Sequence, residues 1–68
     1  MKEFTVKDEQ AFRLRVKMWK CSYPSTLNAI HFVQECKDKE GNVEFSSTYE
    51  FFMTDSEIKK LAEQLVNE

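Results

Sequence analysis

From Phe12 to Trp19 two registers alternate without a break. Phe12, Leu14, Val16 and Met18 fall on one register, and Arg13, Arg15, Lys17 and Trp19 on the other. Eight residues in this pattern predict a strand with one buried face and one open face. A strand needs partners, and the flanking sequence supplies them. Ser22-Tyr23-Pro24-Ser25-Thr26 is turn chemistry, because Pro24 fixes φ and lacks a donor. A second strand is expected over Leu27–Lys37, around Ile30, Phe32 and Val33. A third is expected over Asn42–Met53, with Val43, Phe45, Tyr49, Phe51 and Phe52. The only glycine, Gly41, lies between them in Asp38-Lys39-Glu40-Gly41-Asn42, where a hairpin needs positive φ.

Side-chain matching fixes the expected register. Pairing positions that sum to 48 sets Met18 against Ile30, Val16 against Phe32, Phe12 against Cys36 and Arg13 against Glu35. Pairing the next two strands at a sum of 81 sets Cys36 against Phe45, Phe32 against Tyr49 and Ile30 against Phe51. It also joins Lys37 to Glu44 and His31 to Glu50. A three-residue loop, with a sum of 80, mixes the faces and is disfavoured.

Thr54-Asp55-Ser56-Glu57 is a capping box with Thr54 as N-cap. Ile58, Leu61, Ala62 and Leu65 follow as one apolar stripe, so a helix is expected from Asp55 to about Asn67. Such a helix is too short to stand alone and must dock on the sheet. Phe4 and Val6 predict a fourth, edge strand, with Val6 opposite Phe12 and Phe4 opposite Leu14. The alternative is a frayed or single-turn helical start.

The expected fold is therefore α+β, a single domain over 1–68. It is a three- to four-stranded antiparallel meander with one C-terminal helix packed on one face. Its expected core is Phe12, Leu14, Val16, Met18, Ile30, Phe32, Cys36, Phe45, Tyr49, Phe51, Ile58, Leu61, Ala62 and Leu65, with Phe4 and Val6 if the edge strand forms. A chain of 68 residues buries only about 60% of its unfolded surface, so this core is marginal.

The strand order with a helix directly after the last strand (here Tyr49-Glu50-Phe51-Phe52-Met53-Thr54-Asp55-Ser56-Glu57) resembles the positive-cofactor and Whirly type of single-strand binder. With three strands it is similar to integrase arm-binding and plant ethylene-response domains. The likeness is one of architecture. None of those families' motifs lies on this chain and their basic balance is missing, so it implies no membership.

Charge is segregated although the net charge is only −2. Residues 11–34 carry Arg13, Arg15, Lys17 and Lys20 with no acid, whereas 35–50 carry five acids against Lys37 and Lys39. A polarised field steers partners. The face opposite the helix should carry Arg13, Arg15, Lys17, Trp19, His31, Val33 and Phe52, and this is the expected binding surface. The function expected is a small non-catalytic interaction module. It would act through that uncovered face or through an edge strand, with a protein partner or as a homodimer. The alternative is single-stranded nucleic acid held on the basic and aromatic strand 12–21, against which Glu35 and Glu50 on the same face would repel phosphate.

No catalytic, cofactor or metal site is expected. His31, Cys21 and Cys36 lack metal-ligand spacing. His31 is the lone histidine, and one glycine cannot build a phosphate loop. Apolar runs of two or three residues are too short for a membrane helix or an export signal. Reduced thiols and a cytoplasmic setting are the expectation.

Overall fold

The computed structural model describes residues 1–67. Four strands, β1 (Lys2–Asp8), β2 (Phe12–Lys20), β3 (Leu27–Lys37) and β4 (Val43–Thr54), form one antiparallel sheet in the order β1-β2-β3-β4, followed by α1 (Asp55–Val66). The meander and the helix are as the sequence predicts, and the fourth strand exists.

Between β2 and β3 all nine pairs follow the expected register, from Phe12↔Cys36 to Lys20↔Asn28. Between β3 and β4 the expected register holds from Leu27↔Thr54 to Cys36↔Phe45. The hairpin end differs. Lys37 pairs with Val43, not Glu44, and Asp38 N–H donates to Asn42 O at 2.8 Å. The disfavoured three-residue loop therefore closes the turn, and a bulge at Glu44 restores the other register beyond it. Gly41 takes φ 88°, as a left-handed loop position requires. The Asp38 carboxylate accepts from the N–H groups of Glu40 and Asn42 at 3.0 and 2.9 Å, which ties the loop to itself.

The β1 register also departs from expectation. Phe4 pairs with Val16, not Leu14, and Val6 does not oppose Phe12. A bulge between Thr5 and Lys7 shifts the later pairs to Lys7↔Leu14 and Asp8↔Arg13. The bulge serves the charges at both ends of the strand. Here Asp8 reaches Lys37 and Glu3 reaches Arg15 at 3.2 Å. The extra residue at the bulge keeps both acids on the same face.

The capping box forms completely. Thr54 Oγ1 accepts from Glu57 N–H at 3.2 Å, and Glu57 Oε1 accepts from Thr54 N–H at 2.9 Å. Asp55 anchors the helix start to the sheet. Its carboxylate accepts from Lys20 Nζ and from the buried Asn28 Nδ2, both at 2.8 Å. Thr54→Ala should lower unfolding stability by about 1 kcal/mol, measured by urea titration, because it orphans a first-turn donor.

The helix covers far less than expected. No helix residue is buried, and Leu65 and Val66 are both 77% exposed. Twelve residues of helix span about 18 Å, while twelve residues of β4 span about 40 Å. The helix stands over one end of the sheet, near Phe4, Val16, Met18, Ile30 and Met53. Among the described residues only Val16, Ala29 and Ile30 are buried apolar side chains, and Phe4, Val6, Phe12, Phe45, Tyr49, Phe51, Leu61, Ala62 and Leu65 of the expected core are exposed. The molecule is a slab of 42 × 34 × 15 Å with a radius of gyration of 14.3 Å; a compact chain of this length has about 11 Å.

Candidate interaction surfaces

The two faces of the sheet differ in chemistry. The face away from the helix is a lattice of ions. The register puts Arg13, Arg15, Lys17 and Trp19 of β2 beside Glu35, Val33, His31 and Ala29 of β3, with Thr48, Glu50 and Phe52 of β4 beyond them. All seven residues singled out from the sequence, Arg13, Arg15, Lys17, Trp19, His31, Val33 and Phe52, thus share this face.

Most of those cations are already partnered. Glu35 is buried and accepts from Arg13 Nε at 2.8 Å and Arg15 Nε at 3.1 Å. Arg15 also reaches Glu3. His31 Nε2 meets the Glu50 carboxylate, and the Trp19 ring stands edge-on to the imidazole, with centroids 4.6 Å apart. Lys17 makes no ion pair among the described residues. Lys37 turns to Asp8 and to Glu9 O, not to Glu44 as expected, because the hairpin bulge removes Glu44 from its side.

These pairs hold several carboxyls below their ordinary range. Arg13 does this for Glu35, chiefly through its hydrogen bond, Lys37 for Asp8, and Lys20 with Asn28 for Asp55. The backbone N–H of Thr54 does it for Glu57. Each folded value lies below its unfolded value of about 4, so the folded state binds fewer protons. The stabilisation is fully present above that range and is lost as pH falls through the lowered values. The urea midpoint should therefore drop between about pH 5 and about pH 2. Glu35→Gln should flatten that drop more than Asp55→Asn, since Glu35 is the buried partner of two guanidiniums.

The helix-side face is apolar and open. A cleft of about 430 Å³ is lined by Leu14, Phe32, Gln34, Tyr49, Phe51, Met53 and Leu61. A second, of about 350 Å³, runs under the helix between Phe4, Met18, Ile30 and Ile58. The two share Phe32, Met53 and Leu61, so they form one continuous field. Phe32 and Phe51 meet edge-to-face at 5.8 Å. Farther along, Phe45 is 62% exposed. Lys2 is the one charged residue lining either cleft.

The alternation that marks these residues as core was visible in the sequence. Their exposure was not, because it depends on where the helix lies. Among the described residues no three of His, Cys, Asp and Glu gather in a metal-holding arrangement, and no helix is long and apolar enough to cross a membrane. Cys36 pairs with Phe12 and Phe45 in register, on the face opposite His31.

No protein-family model, curated protein or solved structure matches the chain.

Proposed function

We propose that this chain is a non-catalytic protein-interaction module that works as a homodimer, with its helix-side face as the interface. The observation that carries the reading is the apolar field in which Tyr49, Phe51 and Leu61 stand exposed around the half-buried Leu14 and Phe32.

Area arithmetic selects a second copy as the occupant. The chain exposes 5487 Å², whereas a compact monomer of 8.1 kDa exposes about 4,500 Å². The excess of about 1,000 Å² is close to the ~800 Å² that each partner of a stable complex buries. A two-fold axis brings like surface against like. That is tolerable here because the field is almost free of charge. It lets the exposed Leu61 and Leu65 of each helix lie beside the bare Phe45 and Tyr49 of the other copy. The missing layer of a two-layer domain is thereby supplied.

The ion pairs weigh against the alternative, a single-stranded nucleic-acid surface on β2. Arg13 and Arg15 are committed to Glu35 and Glu3, and phosphate would have to displace those carboxylates. Separation of Cys36 and His31 onto opposite faces supports a non-catalytic reading.

Sedimentation equilibrium of the purified chain tests the proposal. The expected result is a mass twice 8.1 kDa and a thermal midpoint that rises with protein concentration. A folded monomer across the micromolar range would overturn it.

A further inference from the structure

The sheet has two edges, and they are guarded differently. The β1 edge is short, seven residues, interrupted by the bulge at Val6 and flanked by Lys2 and Lys7. Short length, a bulge and lysines are the devices that stop an edge from pairing further. The β4 edge has almost none of them. It is the longest strand, at twelve residues, and contains no Lys, Arg or Pro. Its only irregularity is the bulge at Glu44, and from Phe45 to Thr54 its pairing with β3 is regular. An uninterrupted edge leaves alternate N–H and C=O groups directed outward, which is a template for one more strand.

The side chains along β4 specify what that strand would carry. On the helix side lie Phe45, Tyr49 and Phe51, all exposed. On the other side lie Ser46, Thr48 and Glu50, with the exposed Phe52 at the helix end. An added strand has its own side chains alternating in phase with these. One set would meet aromatic rings and the other would meet hydroxyls and a carboxylate, with one ring, Phe52, at its end. Glu44 and Glu50 are the only charges on the strand. A second β4 contains no Lys or Arg and brings no cation to either acid, whereas a strand carrying Lys or Arg sets opposite charges at cross-strand positions, which is stabilising. The edge is thus matched to a foreign strand rather than to itself.

We propose that the free edge of β4 is a docking site for an extended peptide segment in which apolar residues alternate with Lys or Arg, taken up as a fifth strand. The backbone hydrogen bonds supply affinity, while Phe45, Tyr49 and Phe51 meet the apolar residues and the Glu50 carboxylate, which holds His31 through Oε2, offers Oε1 to the cations. The proposal does not rest on the homodimer: packing face to face leaves the edge amides and Glu50 at the rim, and only the rings of Phe45, Tyr49 and Phe51 are common to both surfaces.

The test uses labelled synthetic peptides of about nine residues and fluorescence anisotropy at low salt. One alternates Val with Lys, one alternates Val with Glu, and one carries the same Val and Lys residues in two blocks. The Val/Lys peptide should bind saturably, at least about tenfold more tightly than either of the others. N-methylating every second amide of that peptide should abolish binding in one phase and spare it in the other, because only one row of amides faces β4. The double variant Glu44→Lys with Glu50→Lys, checked for fold by circular dichroism, should reverse the order of the Lys and Glu peptides. Equal binding of the alternating and block peptides, equal binding of the Lys and Glu peptides, binding by both N-methylated phases, or no saturable binding would each overturn the proposal. The sedimentation mass does not depend on any of these results, so the two readings fail separately.

Discussion

Phe51→Asp should convert the protein to a monomer, while Phe52→Asp, one residue along the same strand, should leave it a dimer. The two rings are about equally exposed, at 49% and 53%, and they point to opposite faces. Phe51 lines the apolar field and meets Phe32 edge-to-face. Phe52 lies on the ion-paired face, in register with Ala29. Truncating a central aromatic anchor costs about 2–4 kcal/mol, or about 30- to 1,000-fold in affinity. In a two-fold interface each substitution occurs twice, so the loss compounds. An aspartate there also buries an unpaired charge. Sedimentation equilibrium of both variants reads the difference directly. Equal effects from the two substitutions would mean that the helix-side face has no special role.

The second large effect concerns the small core itself. Ile30 is 5% exposed and sits between Met18 and Phe51 in register. Ile30→Ala removes buried methyl groups and leaves a cavity, at about 2–5 kcal/mol. A domain of this length holds only about 3–10 kcal/mol in total. The variant should therefore lose about half of its unfolding free energy, with a urea midpoint lowered to match and partly restored at high protein concentration where dimerisation adds stability. Tyr23→Ala, at 92% exposure, should change the urea midpoint little. An Ile30→Ala chain as stable as the parent would place the core elsewhere.

Much of this fold was legible in the residues, and for local reasons. Alternation from Phe12 to Trp19, matched to Leu27–Lys37, sets every pair between β2 and β3, because a one-residue slip would turn both strands over. Thr54 and Glu57 announce the helix start through their own side chains. Gly41 marks the loop because, among the described residues, only its φ is positive. The two bulges were hidden. A bulge adds one residue without erasing the apolar pattern around it, so Val6 and Glu44 read as ordinary strand positions. The position of the helix over the sheet was hidden too. The stripe Ile58, Leu61, Ala62, Leu65 identifies an apolar side, but it does not say which third of the sheet that side will cover. That one unknown changes which face carries the open apolar area. It leaves Trp19 flanked by His31 on an ion-paired face and leaves Phe45, Tyr49 and Phe51 bare on the other.

The most direct measurement is an isotope-filtered NOE experiment on dimers mixed from labelled and unlabelled chains, which records contacts between copies alone. The account predicts cross-peaks between the rings of Phe45, Tyr49 and Phe51 in one copy and the methyl groups of Leu61 and Leu65 in the other. Intermolecular cross-peaks confined to Trp19 and Phe52, or running between two β4 backbones, would contradict it.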